Sequence, residues 1–104
     1  MVYAVRSTEY VPGKREEAME FLKKVVSHSK DLGVEVEIMR ITTPGPGQHA
    51  RLWTSHKYDS MVEMAEIEQK SGEDADWMAI VRAASAPGGC LVHNTFTRNN
   101  FQVL

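Results

Sequence analysis

Arg6, Arg51, Trp53, Glu68 and His93 are the side chains of this sequence whose types and settings are suited to chemistry. Glu68 stands i+7 from Met61, i+4 from Met64 and i+3 from Ala65, so on a helix it falls inside an apolar stripe. A carboxylate there either lines a cavity between helix and sheet, or reaches water because the helix lifts away over Gln69 to Gly72. Enclosure disfavours its charged form unless a cation, Arg6 or Arg51, holds it ionised. Arg51 and Trp53 are two apart and share one face of an extended segment. An aromatic beside a guanidinium suits a planar, anionic or phenolic ligand, and it suits a subunit interface equally well. His93, near Thr95 and Thr97, is readable as a ligand-facing group or as a hydrogen-bonded sheet histidine.

Other constellations carry no signal. His49 and His56 are seven apart on one extended segment, which points them to opposite faces, so they cannot share an ion there. No Cys/His spacing matches a zinc site, and a metal centre is not expected. The glycine-rich stretches around Pro44 to Gly47 and Pro87 to Gly89 lack a following Lys-Ser/Thr and a strand–helix context, so they are not phosphate loops. There is no Ser-His-Asp set. His28 and Ser29 lie on the first helix, His28 at the boundary of its apolar stripe and Ser29 near the centre. A small hydroxyl at that position can bond its own helix carbonyls.

The elements that position these residues follow from periodicity. Val2 to Val11 is rich in β-branched and aromatic residues and ends at Pro12-Gly13, which predicts a strand. Lys14 to Leu32 places Ala18, Phe21, Leu22, Val25, Val26 and Leu32 on one stripe of a helix, and Gly33 stands where a left-handed C′ residue would. Val34 to Thr42 alternates as a strand, the loop Thr43-Pro44-Gly45-Pro46-Gly47 follows, and His49 to Tyr58 reads as a third strand. Ser60-Met61-Val62-Glu63 has capping-box spacing and opens a second helix. That helix turns Met61, Met64 and Ala65 inward and breaks near Ser71-Gly72. A further helical piece over Glu73 to Ala86 buries Trp77, Ile80, Val81 and Ala84. Cys90 to Arg98 reads as the fourth strand, with Asn99 to Leu104 as a tail.

The order βαββαβ predicts one ferredoxin-like α+β domain over residues 1–104: a four-stranded antiparallel sheet with two helices on one face. The strands are apolar on both sides, with Ile38 against Met39, Leu52 against Trp53 and Leu91 against Val92. Helices cover one face only, so a second copy of the sheet is the expected cover for the other, and a homodimer is expected.

Bulk composition bounds the function classes. The chain is 42% hydrophobic and 25% charged with net charge −2, and its charges of both signs are interleaved. No basic block is available to grip nucleic acid. An RNA-recognition module shares the strand order, but the stacking aromatics it needs are missing from the third strand. No apolar stretch approaches the ~20 residues of a membrane span. With no signal-peptide pattern and Cys90 as the single cysteine, a cytoplasmic, reducing setting is expected.

Three features together resemble the dimeric α/β-barrel superfamily, nearest its NIPSNAP-like and antibiotic-biosynthesis-monooxygenase-like groups. A strand runs into Pro12-Gly13-Lys14-Arg15-Glu16-Glu17; the third strand enters the second helix through Trp53 and Tyr58-Asp59-Ser60-Met61; and Asp76-Trp77 opens the last helical turns. The resemblance spans nearly the whole chain. It implies a dimeric α/β barrel and carries no catalytic set over to these positions. The expected function is a cofactor-independent enzyme or binder acting on a small aromatic or hydrophobic molecule between sheet and helices. Arg6, Arg51, Trp53, Glu68 and His93 would line that pocket. The resemblance further implies proton transfer or cofactor-free oxygenation as the reaction type. A non-catalytic dimerisation or ligand-sensing module is the alternative, and a solidly filled core would favour it.

Overall fold

The computed structural model describes residues 1–43, 45, 46 and 49–104. Its elements are β1 (Val2–Glu9), α1 (Arg15–Asp31), β2 (Glu35–Met39), β3 (Arg51–Tyr58), α2 (Met61–Glu73), α3 (Ala75–Ser85) and β4 (Thr97–Gln102). The four strands form one antiparallel sheet in the order β2-β3-β1-β4. This is the ferredoxin-like α+β arrangement, with three helices where two were expected. Among the described residues no helix is long and apolar enough to cross a membrane.

Local chemistry sets the helix boundaries. Gly33 adopts φ +81° and closes α1 as anticipated. Val34 N–H donates to Ser29 O and Gly33 N–H to Lys30 O, which satisfies the last carbonyls in a Schellman motif. Ser60 caps α2 by accepting from Glu63 N–H, and the Glu63 carboxylate returns to Asp59 N–H at 2.7 Å. The break between α2 and α3 falls at Asp74 rather than at Ser71-Gly72. The Asp74 carboxylate accepts from Trp77 N–H at 3.0 Å and starts a new helix, while Gly72 remains helical.

The last strand departs most from expectation. Residues 90–92 do meet the end of β1: Tyr10 bridges Leu91, Val11 N–H donates to Cys90 O, and Val92 N–H donates to Glu9 O. The chain then leaves the sheet, turning through Asn94 at φ 63°. It rejoins at Thr97 opposite Ser7 and continues to Gln102 opposite Val2. The supposed tail is therefore the strand itself. Thr95 anchors the excursion by accepting from Glu9 N–H and donating to Val92 O.

One face of the sheet meets the helices. Val2, Ala4, Arg6, Leu52, Thr54, His56 and Tyr58 belong to it, by the alternation of β1 and β3 and their register. Two buried clusters hold the layers together. Val2, Ala4, Val34, Tyr58 and Met64 form one, and Ala18, Leu22, Leu52, Ala84 and Cys90 form the other. α1 packs by the stripe its sequence showed, with Ala18 and Leu22 buried. α2 is rotated from expectation, since Met61 is 51% exposed while Met64 is buried. The inward row is Met64, Ile67, Glu68 and Ser71, so Glu68 faces the sheet as suspected, without Met61 or Ala65 beside it. On α3, Trp77 and Val81 turn inward and Ala84 is buried, while Ile80 faces out.

Between the two clusters the interior is hollow; Phe21 and Leu22 both border it, but Leu22 is buried within the second cluster while Phe21 is only half-buried against it. Leu22→Ala is expected to cost about 3 kcal/mol in urea unfolding, and Phe21→Ala distinctly less. An equal or larger loss at Phe21 would show that the interior closes on it in solution.

Candidate functional site

The hollow is a cavity of about 820 Å³ between the sheet and all three helices. It lies within the usual size range for small-molecule sites, and its walls are mostly apolar. α1 contributes Phe21, Leu22, Val25, His28 and Ser29; α3 contributes Trp77, Met78 and Val81; β3 contributes Leu52, Thr54, His56 and Tyr58. The excursion before β4 adds His93, Asn94 and Phe96.

Two polar features break the apolar wall. The first is an ion cluster. Arg6, on central strand β1, donates to Glu68 Oε1 at 2.8 Å, and Arg98, on edge strand β4, donates to the same oxygen. Arg6 and Arg98 are directly paired across β1 and β4, so their side chains leave the same face together. The second is His56, which is 6% exposed, with no hydrogen-bond partner at Nδ1. Burial pushes its pKa down to about 3, and the charges of Arg6 and Arg98 push the same way. His56 is therefore neutral at any ordinary pH. Tyr58 next to it is also held neutral: burial raises its hydroxyl pKa, and the nearby Arg6 offsets this only in part.

A third group is aromatic. Trp77 stacks on His28 with ring centres 4.2 Å apart, and on its other side lies parallel to Phe21 at 6.3 Å. His28 Nε2 is in turn hydrogen-bonded to Ser71 Oγ on α2 at 3.0 Å. This ladder forms one wall across α1 and α3.

Of the five residues singled out in the sequence, Arg6, Glu68 and His93 border this cavity. Arg51 and Trp53 do not. Arg6 lies opposite Thr54 in the register, so it shares the helix-facing side with Thr54 while Arg51 and Trp53 alternate to the far side. There Arg51 donates to Ser7 Oγ and to Thr95 O, both at 3.0 Å, and ties the β4 excursion to the sheet. The partner suspected for Glu68 was Arg6 or Arg51; it is Arg6, joined by Arg98. His49, expected on the third strand with His56, lies before it, because β3 begins at Arg51. Sequence reading missed Arg98, His28 and His56 as cavity residues. His56 was discoverable, because its two-residue spacing from Leu52 through Thr54 places it on the apolar side of its strand.

No family model matches the sequence, and no curated protein matches it. Solved structures do match. A NIPSNAP domain protein from Burkholderia xenovorans superposes with a TM-score of 0.74 at 13% identity, over 100% of this chain and 95% of that chain. A NIPSNAP family protein from Agrobacterium tumefaciens gives 0.71 at 16% identity, over 99% and 92%. An antibiotic biosynthesis monooxygenase gives 0.69 at 6% identity, over 100% and 99%. The chain has the fold of these proteins. At such identities the likeness concerns fold, in agreement with the resemblance read from the sequence, and their chemistry does not transfer with it.

Two outcomes are expected. Removing the shared carboxylate leaves two guanidiniums facing each other, so Glu68→Gln is expected to destabilise by about 1 kcal/mol at low salt and by less at high salt. A stabilised variant would mean the arginines do not hold Glu68. Separately, the folded pKa of His56 lies below its unfolded value near 6.5. Stability from this group is complete above pH 6.5 and is lost as pH falls toward 3, by at most about 1.4 kcal/mol per unit. Urea unfolding at pH 7 and pH 5 is expected to show this loss in the wild type and not in His56→Leu. Parallel losses in both would show that His56 takes up its proton without cost.

Proposed function

We propose that the protein binds a small aromatic or hydrophobic molecule in the cavity between sheet and helices and acts on it without a cofactor. The observation that carries this reading is the hollow itself. A domain of this size normally packs its helices down onto the sheet, whereas here they stand off it around a half-open cleft of about 820 Å³. A solidly filled core was the condition favouring the alternative, a non-catalytic dimerisation or ligand-sensing module; the open space between sheet and helices speaks against dimerisation alone and fits ligand sensing as well as catalysis. Glu68 is the one carboxylate on the described cavity wall, so it is the group placed to accept a proton from a bound molecule.

The reading includes a homodimer in a reducing, cytoplasmic setting. Its support is the far face of the sheet, where Tyr3, Val5 and Trp53 are half-buried and Met39 and Phe101 are exposed at 37% and 54%. A second sheet laid on this face would cover them.

Thermal shift against a panel of aromatic and fatty molecules tests the cavity reading, because a ligand of the native state raises the melting temperature. At least one compound class is expected to raise it by several degrees, and Val81→Trp, which fills the hollow, is expected to abolish the shift. A panel with no shift, or a shift unchanged by Val81→Trp, removes the cavity as the site. Light scattering is expected to give about twice the 11.7 kDa chain mass. A monomer mass at micromolar concentration would remove the dimer.

A further inference from the structure

The ion cluster is unbalanced, and the imbalance points to the ligand's charge. Arg6 and Arg98 set two positive charges against the single carboxylate of Glu68. With histidines counted neutral, one positive charge is left over on the wall of a largely apolar cavity. No other acid borders the cavity among the described residues, and the remaining three residues, Pro44, Gly47 and Gln48, carry no charge. The cluster stands at the open side of the cavity, with Arg6 20% and Arg98 30% exposed, so water shields the surplus charge in part and a bound anion would take the place of that water.

The geometry leaves room for the anion. Each guanidinium has five N–H donors. Glu68 Oε1 takes one from each arginine, Asn100 Oδ1 and Met64 Sδ take one each from Arg98 at 3.0 and 3.4 Å, and Arg6 also hydrogen-bonds the Tyr58 side chain. Both arginines therefore keep donors for a second oxyanion, and both of their recorded bonds to Glu68 converge on Oε1. Nearby, the buried Nδ1 of His56 has no partner. That nitrogen is closed off from the cavity, so neutral His56 borders the cluster without adding charge to it. On the helical wall, Phe21, Trp77 and His28 supply aromatic surface, with their stacked faces turned toward one another.

Building on the cavity reading above, we infer that the ligand is an aromatic monoanion, with a carboxylate or phenolate oxygen held by Arg6 and Arg98 and a flat body against the Trp77 ladder. Glu68 then has a second role beside accepting a proton. It keeps the two arginines apart and aimed into the cavity, and it competes with the ligand for their donors. Removing it should strengthen the hold on an anion, the opposite of what loss of a purely structural residue does.

The test compares acid and amide pairs of nearly equal shape by calorimetry on the full chain: 1-naphthoate with 1-naphthamide, and benzoate with benzamide. The acid is expected to bind at least about tenfold tighter than its amide, with a margin that shrinks as salt rises. Arg98→Gln, on an exposed edge strand, is expected to bring the acid down toward the level of the amide, with a much smaller loss for the amide, whose carbonyl makes no charge-assisted bond. Glu68→Gln is expected to tighten the acid severalfold without changing the amide. Equal binding of acid and amide by the wild type overturns the anion assignment and leaves the cavity reading standing. If Glu68→Gln weakens acid and amide together, the competition between Glu68 and ligand is wrong. Failure of both members of both pairs to bind removes the cavity reading and the assignment together.

Discussion

Polar residues on the covered face of the sheet decide what kind of interior this protein has. Arg6, Thr54 and His56 lie in the middle of the face that meets the helices, where a solid core would need Val, Ile or Leu. Thr54 and His56 are buried there all the same, while Arg6 keeps part of its contact with water, so this stretch cannot pack as an apolar core would. The core is accordingly divided. Val2, Ala4, Val34, Tyr58 and Met64 close one end, Ala18, Leu22, Leu52, Ala84 and Cys90 close the other, and the helices bridge the space between. Each cluster is small, and among the described residues no large side chain is fully enclosed. Stability that a packed interior would supply has been exchanged for a site.

The ion cluster follows from the same constraint. Arg6 on a central strand needs a counter-ion, and α2 delivers Glu68 from the row Met64–Ile67–Glu68–Ser71. That row also ties the helices together, since Ser71 bonds His28, His28 stacks on Trp77, and Trp77 opens α3 on the Asp74 cap. Arg98 joins because β4 is displaced along β1. Tyr10 pairs with Leu91, while Ser7 pairs with Thr97. Residues inserted between those two pairings form the excursion that carries His93, Asn94 and Phe96 to the cavity. Gly89 permits the turn before it: a Cβ there would meet the carbonyl oxygens of Ala83 and Ala84. One local insertion thus shapes the cavity wall and brings a second cation to Glu68.

The far face of the sheet obeys a different rule. Arg51 and Trp53 look like a ligand-binding pair by type, and by alternation they stand back-to-back with the cavity. Arg51 is engaged by Ser7 and Thr95, so it holds the excursion in place from behind. Its role is to position the cavity wall, through backbone and hydroxyl contacts.

What the sequence determined by itself is whatever depends on near neighbours. The α1 stripe, the Gly33 closure, the Ser60–Glu63 box, the strand order and the two-sided strands all follow from periods of 3.6 and 2 and from residues with special backbone freedom. Glu68 facing inward was legible for the same reason, although the rotation of α2 was not. Met61 and Ala65 suit an apolar stripe as well as Ile67 does, and only docking on Val2 and Tyr58 chooses between them. The tertiary structure alone decided the register of β4, the meeting of Arg98 with Arg6, and which face received Arg51. Each of these depends on pairing between segments far apart in the chain, and a shift of one residue in such a pairing sends every side chain to the opposite face.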